Sequence, residues 1–440
     1  MKKRILGMIS LILCVASFMA CIGCNSESVI DESDTFSDTL ESVIDSESDT
    51  ASEKKTNKKT DKKTEASKST TDSSSETKLI PGVSKAEFDL TSKTYNFANM
   101  STIEQTCFKL LGRAKVSKEG LNFDTSCATL EFQGYMSGDV VIEINSKLSG
   151  YDYGQSYFTV YVDGKRSGTR FEVESGSTKK LTIASFTGDY FHTIKIVKQT
   201  EYKWSLATIK SLKIKGYIIE APAEKDYYIE FLGDSLTSAY GNIGKPGDTP
   251  DDSPKFQDGT KSFAYLFAEA LDADYAMISR SSGGINQCWS NTPMIDNYKK
   301  FSILRNDDLF DISNARKPDL IVIHLGANDY NFANHKDSDG GTEFLDSERA
   351  AFVNGGKTLI NYFRNNYGND VPIIWAYDPR EGLPDEVEEI IDSFGGASKG
   401  YYVLALPWSE AGAGGHPSAA EHEKQADILL NFVVKNNILK

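Results

Sequence analysis

Cysteine, histidine and net positive charge are all scarce in this chain of 440 residues. It has six cysteines, five histidines, and 63 acidic against 48 basic side chains, for a formal net charge of -15. Nucleic-acid binding is excluded as a working class, because phosphate recognition rests on clustered Lys and Arg that displace counterions. Three of the cysteines, Cys14, Cys21 and Cys24, crowd the amino end, leaving Cys107, Cys127 and Cys288 for folded regions. That is neither a disulfide framework nor a zinc spacing, so no metal and no cofactor are expected. Cys107 and Cys127 either pair or are buried as small apolar groups. An apolar run of spanning length is missing too.

What the amino end does have is MKKRILGMISLILCVASFMACIGC: basic residues Lys2, Lys3 and Arg4, an apolar stretch from Ile5, then small residues before cysteine. This is the pattern of an export signal, and it resembles a bacterial lipoprotein signal. That resemblance implies residues 1–24 as the signal peptide, with Cys24 as the lipidated residue and Cys21, after Ala20, as the alternative. The lipid would anchor the protein to a membrane without spanning it. Residues 25–84 are rich in Ser, Thr, Asp, Glu and Lys, with an acidic half before a basic one. They hold too little apolar surface to offset ordering entropy and read as a disordered linker.

Two periodicities follow. Across residues 85–222, short alternating runs such as DVVIEIN, YFTVYVDGK and HTIKIVK predict an antiparallel β-sandwich, jelly-roll-like, with a tight hairpin at Asp163-Gly164. Across residues 223–440, apolar strands (YYIEFLG, DYAMIS, DLIVIHLG, VPIIWAY, YYVLAL) alternate with amphipathic helices. Alternation of that kind predicts an α/β three-layer domain on a parallel five-stranded sheet, with ligands at the carboxyl ends of strands. Helix starts are marked by a cap at Ser262 and a capping box from Ser418 to Glu421.

The run IEFLGDSLTSAYG, Ile229 to Gly241, ends a buried strand by presenting Ser235 after a glycine. Alone, such a serine reads more readily as a helix cap. Three further stretches change that: SSGGI after the second strand, GAND (Gly326 to Asp329) after the third, and GGHP near the carboxyl end. In this order the blocks resemble the SGNH, or GDSL, hydrolase superfamily, and the resemblance implies a flavodoxin-like fold and serine esterase chemistry. The GxSxG elbow of the α/β-hydrolases is absent around Ser235.

Acyl transfer needs a nucleophile, a proton carrier and donors aimed at the oxygen that becomes negative. Ser235 is the candidate nucleophile, with its own amide as one oxyanion donor. The turn at Ser282, Gly283 and Gly284 offers a second, assigned to Gly283, and the Asn328 side chain a third. His416 is selected as general base by elimination. It sits in a glycine-rich loop, whereas His422 continues an apolar helical stripe, His324 lies in a buried strand, His192 belongs to the sandwich and His335 to a polar loop. The superfamily usually has an aspartate three residues before the histidine; here that residue is Ala413. The Nδ1 proton then goes to a backbone carbonyl in residues 411–415 or to Glu410, the carbonyl being favoured, which makes a Ser-His dyad. Asp234 and Asp329 read as local supports.

The β-sandwich, the long polar insertion after GDSL and the ending LPWSEAGAGGHPSAAEH are similar to carbohydrate esterase family 2. That resemblance implies removal of acetyl groups from plant cell-wall polysaccharides such as xylan or glucomannan. Trp289, Trp408 and Tyr330 are the aromatic candidates for packing against sugar rings, and the sandwich either binds glycan or braces the catalytic domain. Three other readings are kept: an acyl-lipid esterase or thioesterase, a peptidoglycan O-acetylesterase, and a surface lipoprotein that binds glycan without catalysis.

Overall fold

Long alternating strands build the first half of the folded region. The computed structural model describes residues 91–148, 154–249, 254–286, 292–302, 309–333, 335–336, 342–381 and 383–439. Cys24, the signal and linker assignments, Cys288 and Trp289 lie outside those residues. Nine strands, β1 (Ser92–Asn96), β2 (Lys109–Leu111), β3 (Lys115–Ser117), β4 (Gly120–Phe123), β5 (Thr129–Leu148), β6 (Gln155–Val162), β7 (Lys165–Glu174), β8 (Thr178–Lys198) and β9 (Ser205–Ile218), form the antiparallel domain. In β5 the period of two is plain: Leu130, Phe132, Met136, Val140, Ile142 and Ile144 are all buried in one cluster.

The nine strands hydrogen-bond as one continuous sheet, because β5 and β8 are long enough to serve both layers. Register shifts at Met136/Gly138 and Val140/Val141 interrupt their pairing, and such bulges bend a strand so that its two ends close around a common core. Asp163 and Gly164 both take positive φ, 50° and 74°, and close the β6–β7 hairpin as their dipeptide predicts. Cys107 and Cys127 are buried free thiols.

The pairing changes from antiparallel to parallel between Ile218 and Tyr228. Strands β10 (Tyr228–Gly233), β11 (Asp274–Ser279), β12 (Leu320–His324), β15 (Ile373–Tyr377) and β16 (Tyr401–Ala405) make a five-stranded parallel sheet in the order β11-β10-β12-β15-β16; the short pair β13 (His335–Lys336) and β14 (Thr342–Glu343) stands apart. The helices are α1 (Thr102–Gln105), α2 (Ser235–Ser238), α3 (Phe263–Ala270), α4 (Met294–Tyr298), α5 (Ala327–Phe332), α6 (Asp346–Tyr367), α7 (Pro384–Ser393) and α8 (Ala419–Lys435).

Each parallel strand is apolar on both sides because helices cover both faces. Phe231, Val322 and Ile374 pack with Phe263 of α3 and Leu429 of α8, while Leu232, Ile323 and Trp375 pack with Leu359 of α6 and Ile390 of α7. The Ser262 hydroxyl accepts the Tyr265 amide at 3.1 Å, and Glu421 accepts the Ser418 amide at 2.8 Å, so both marked helix starts are capped. Strand order reverses on either side of β10. The carboxyl end of β10 is therefore the topological switch point, where open α/β sheets leave a crevice.

Candidate active site

Ser235 is the first residue of α2, two positions beyond the last residue of the switch-point strand. Gly233 allows the turn, because a Cβ there would collide with the Thr237 hydroxyl. Asp234 caps the short helix, its carboxylate accepting the Leu236 amide at 2.9 Å. The Ser235 side chain is only partly buried and opens into a cleft of about 420 Å³.

His416 reaches the same cleft from a loop 181 residues later: its Nε2 lies 2.8 Å from Ser235 Oγ. The other ring nitrogen, Nδ1, is 2.8 Å from the Gly414 carbonyl oxygen. A carbonyl only accepts, so Nδ1 carries the proton, Nε2 presents its lone pair, and the Ser235 hydroxyl donates to it. Gly414 turns its carbonyl to the ring by adopting φ 61°, ψ 35°, a conformation glycine takes without strain. The loop is stitched to the segment after GDSL, the Ala413 amide donating to Gly241 O at 2.9 Å and the Ala419 amide to Asn242 O at 2.8 Å. Ala413 is fully buried, and a Cβ on Gly244 would lie 2.6 Å from its own Cβ, so the position is closed to a larger side chain. Glu410 instead faces Arg380, at 3.9 Å.

Asn328, near the start of α5, lines the cleft and donates through Nδ2 to Asp234 Oδ2 at 3.0 Å. One amide proton is thereby held on Asp234, which fixes the plane in which the other points. Asp329 accepts the Ile285 and Asn286 amides at 2.9 and 2.8 Å and ties the glycine-rich turn to α5. Asp234 and Asp329 thus act as local supports.

Burial drives the Asp234 carboxyl up from its ordinary value to about 7, against the opposing bonds from the Leu236 amide and Asn328. Native Asp234 holds its proton more tightly than the unfolded chain does. Its contribution to stability is full below pH 4 and is lost as pH rises through about 7. Urea titrations of the wild type and Asp234→Asn at pH 4 and pH 8 should show the difference moving toward the variant by up to about 4 kcal/mol at the higher pH. A difference independent of pH would contradict this.

Two sequence assignments change. Gly283 does not line the cleft: its amide donates to Arg280 O at 2.9 Å, and a Cβ there would meet Met294 Sδ at 2.7 Å, so this glycine serves a tight turn. Ser282 lines the cleft in its place, with φ 65°. Tyr330 does not line the cleft either: partly buried, it packs on Phe344 at 6.3 Å between centroids, against the core under α6 and α7. Trp408 does line the cleft, with the Arg380 guanidinium 4.3 Å from its ring. Trp375 is core, its indole donating to Leu325 O at 3.0 Å. His324 and His422 are fully enclosed, and burial holds their rings down at about 4 and about 3, so both are neutral packing groups.

Sequence reasoning missed the residues that the β-sandwich brings to the cleft. Lys203, between β8 and β9, lines the cleft and donates to the Tyr240 hydroxyl at 3.2 Å. Tyr240 lies 4.9 Å from the His416 ring and is stacked at 5.9 Å on Trp204. Asn331 and Glu381, joined at 2.7 Å, close the opposite side. Tyr240 could have been suspected from its place just after GDSL; nothing local marks Lys203.

Residues 110–222 match the family model for the carbohydrate esterase 2 N-terminal domain, and residues 229–382 that for GDSL-like lipase/acylhydrolase. Ser235 and Asn328 fall inside the second match and His416 beyond it. Among curated relatives, a cellulase/esterase CelE of Acetivibrio thermocellus is 28% identical over 301 residues, and an acetylxylan esterase / glucomannan deacetylase of Cellvibrio japonicus 26% over 213. These alignments take in 65% and 47% of this chain but only 34% and 58% of the relatives, so the chain spans roughly a third to over half of their length. A solved family two carbohydrate esterase from Clostridium thermocellum, in complex with cellohexaose, superposes with a TM-score of 0.64 at 25% identity, covering 76% of this chain and all of that one. An acetyl xylan esterase from Butyrivibrio proteoclasticus shares the fold with a TM-score of 0.68 at 19% identity, covering 80% of this chain and all of that one. With both domain matches in the order the fold shows them, the chain resembles the SGNH, or GDSL, hydrolases and, among these, carbohydrate esterase family 2.

Proposed function

We propose that the protein is a carbohydrate O-deacetylase, hydrolysing acetyl esters of plant cell-wall polysaccharide through a Ser235-His416 dyad. The observation that carries this reading is the 2.8 Å contact between Ser235 Oγ and an imidazole whose tautomer is set by the Gly414 carbonyl. Ser235 Oγ attacks the acetyl carbon as its proton passes to His416 Nε2. Collapse of the tetrahedral intermediate expels the sugar oxygen, which takes that proton, and leaves an acetyl-serine. Water, deprotonated by the same nitrogen, then releases acetate and restores the hydroxyl. The amides of Ser235 and Ser282 and the side chain of Asn328 hold the intermediate's oxygen.

The cleft walls favour a sugar over a fatty chain. Lys203, Ser281, Asn331 and Glu381 are polar, and Trp408 gives one aromatic face of the kind that packs on a pyranose ring. A long acyl group would need an apolar channel beside Ser235. The names of the curated relatives point to xylan and glucomannan. The test is acetate release from acetylated xylan, acetylated glucomannan and O-acetylated peptidoglycan, beside acetyl and octanoyl chromogenic esters. Preference for octanoyl esters or peptidoglycan would displace the reading toward the lipid or cell-wall esterases, and an inert protein that still binds glycan toward a non-catalytic binder. We also propose export and lipid anchoring at Cys24, for which the mass of the mature amino-terminal peptide is the check.

A further inference from the structure

We propose that Glu201, carried by the β-sandwich, is a positioning residue for ester hydrolysis: it holds the turn at Ser281 and Ser282 in the one arrangement that aims the Ser282 amide at the oxyanion. The inference rests on the esterase reading above. It goes beyond that reading by making the antiparallel domain part of the catalytic apparatus.

Glu201, in the loop between β8 and β9, is fully buried. One carboxylate oxygen accepts the Ser281 amide at 2.9 Å and the other accepts the Ser281 hydroxyl. Two bonds to one residue fix both the position and the rotation of the peptide that leads into Ser282. That control matters because Ser282 sits at φ 65°, a left-handed conformation that is unfavourable for a residue with a Cβ and persists where neighbours enforce it. A Ser282 released from this state would rotate its amide away from Ser235.

The same loop grips the nucleophile's side of the cleft. The Glu201 amide donates to Gln257 Oε1 at 3.2 Å, Trp204 Nε1 donates to that oxygen at 2.9 Å, and Gln257 Nε2 donates to Ser238 O of α2 at 2.7 Å. One sandwich loop therefore holds the turn after β11 directly and the helix that begins with Ser235 through Gln257. The loop has its own anchor: the fully buried ammonium of Lys198 donates to the carbonyls of Asp124, Thr200, Glu201 and Ser205 at 2.8 to 3.3 Å. Its three protons are shared among those four carbonyls, and charge-assisted bonds of this kind give a rigid base.

The experiment compares full-length wild type, Glu201→Ala, Glu201→Gln and Ser281→Ala. It measures kcat and KM on 4-nitrophenyl acetate, inhibition by a boronic acid that forms a tetrahedral adduct on serine, and Tm. Glu201→Ala should lose about 10- to 100-fold in kcat, part of the effect of deleting a whole oxyanion donor. Its KM should stay within about twofold, and boronic acid affinity should fall in step with kcat. Glu201→Gln, which still accepts the Ser281 amide, should recover most of the loss. Ser281→Ala removes only the hydroxyl bond and should show a smaller loss of the same kind, which keeps the test decisive if Glu201→Ala does not fold. A loss confined to KM, or unchanged boronic acid affinity in variants whose kcat has fallen, overturns the inference. So do variants that match an active wild type, which would leave the esterase reading standing. A wild type inert to both ester and boronic acid overturns the two together.

Discussion

Ser235→Ala, His416→Ala and the double variant should all drop kcat for acetyl esters to a single floor, about 10⁶-fold below wild type on the scale found for serine hydrolases. The reason is that neither residue acts alone. Without His416 the Ser235 proton has nowhere to go within 2.8 Å, and without Ser235 the imidazole has no nucleophile to activate. Losses that shared a single step are not additive, so the double variant should equal each single one. KM should change little, because the rest of the cleft wall is untouched. Glu410→Gln is the companion measurement. The carbonyl of Gly414 already receives the Nδ1 proton at 2.8 Å, while Glu410 faces Arg380, so this variant should retain activity within about twofold. Activity nearly abolished in folded Glu410→Gln would make the carboxylate the third member and end the dyad account.

That carbonyl explains how the site tolerates Ala413. An aspartate partner would orient the ring and also stabilise the imidazolium. The Gly414 carbonyl can do the first fully and the second only through its dipole. Packing closes the alternative, since Ala413 is enclosed by Gly241 and Gly244 of the insertion after GDSL. The insertion packs against the histidine loop and so leaves no room at residue 413 for a carboxylate.

Much of this was legible from local pattern. The period of two in DVVIEIN and the strand-helix alternation after Pro222 report burial directly, so both sheets and the capped starts of α3 and α8 follow from residue chemistry. The pairing of Ser235 with His416 was legible because histidines are few and the others sit in apolar patterns. What escaped depends on packing between segments far apart. Glu201 and Lys203 sit in TEYKW, a stretch with no catalytic signature, and matter only because the β8–β9 loop docks on the turn after β11. The sequence assigns the second oxyanion donor to Gly283, whereas Ser282, one residue earlier, takes the positive φ and lines the cleft beside the clamped Ser281. Tyr330 after GAND has the same local surroundings whether it faces a ligand or the core, and its packing on Phe344 appears only in the fold.

Asn328→Ala should lower kcat by about 10²- to 10³-fold with KM nearly constant, the effect of removing one oxyanion donor. The substitution removes an N–H that strengthens its bond only when the carbonyl oxygen becomes an oxyanion, so the loss falls on the transition state. It also leaves Asp234 Oδ2, completely buried beside the nucleophile, without the donor it has at 3.0 Å, which should push the Asp234 carboxyl further up and cost stability above neutral pH. Asp234 can reach the reaction through Asn328, by fixing which amide proton points into the cleft. Asp234→Asn should therefore lower kcat in the wild-type background and add little in Asn328→Ala, a coupling that a double-mutant cycle reads directly. Full additivity would place Asp234 and Asn328 on separate tasks, and a KM-only effect of Asn328→Ala would remove it from the oxyanion site.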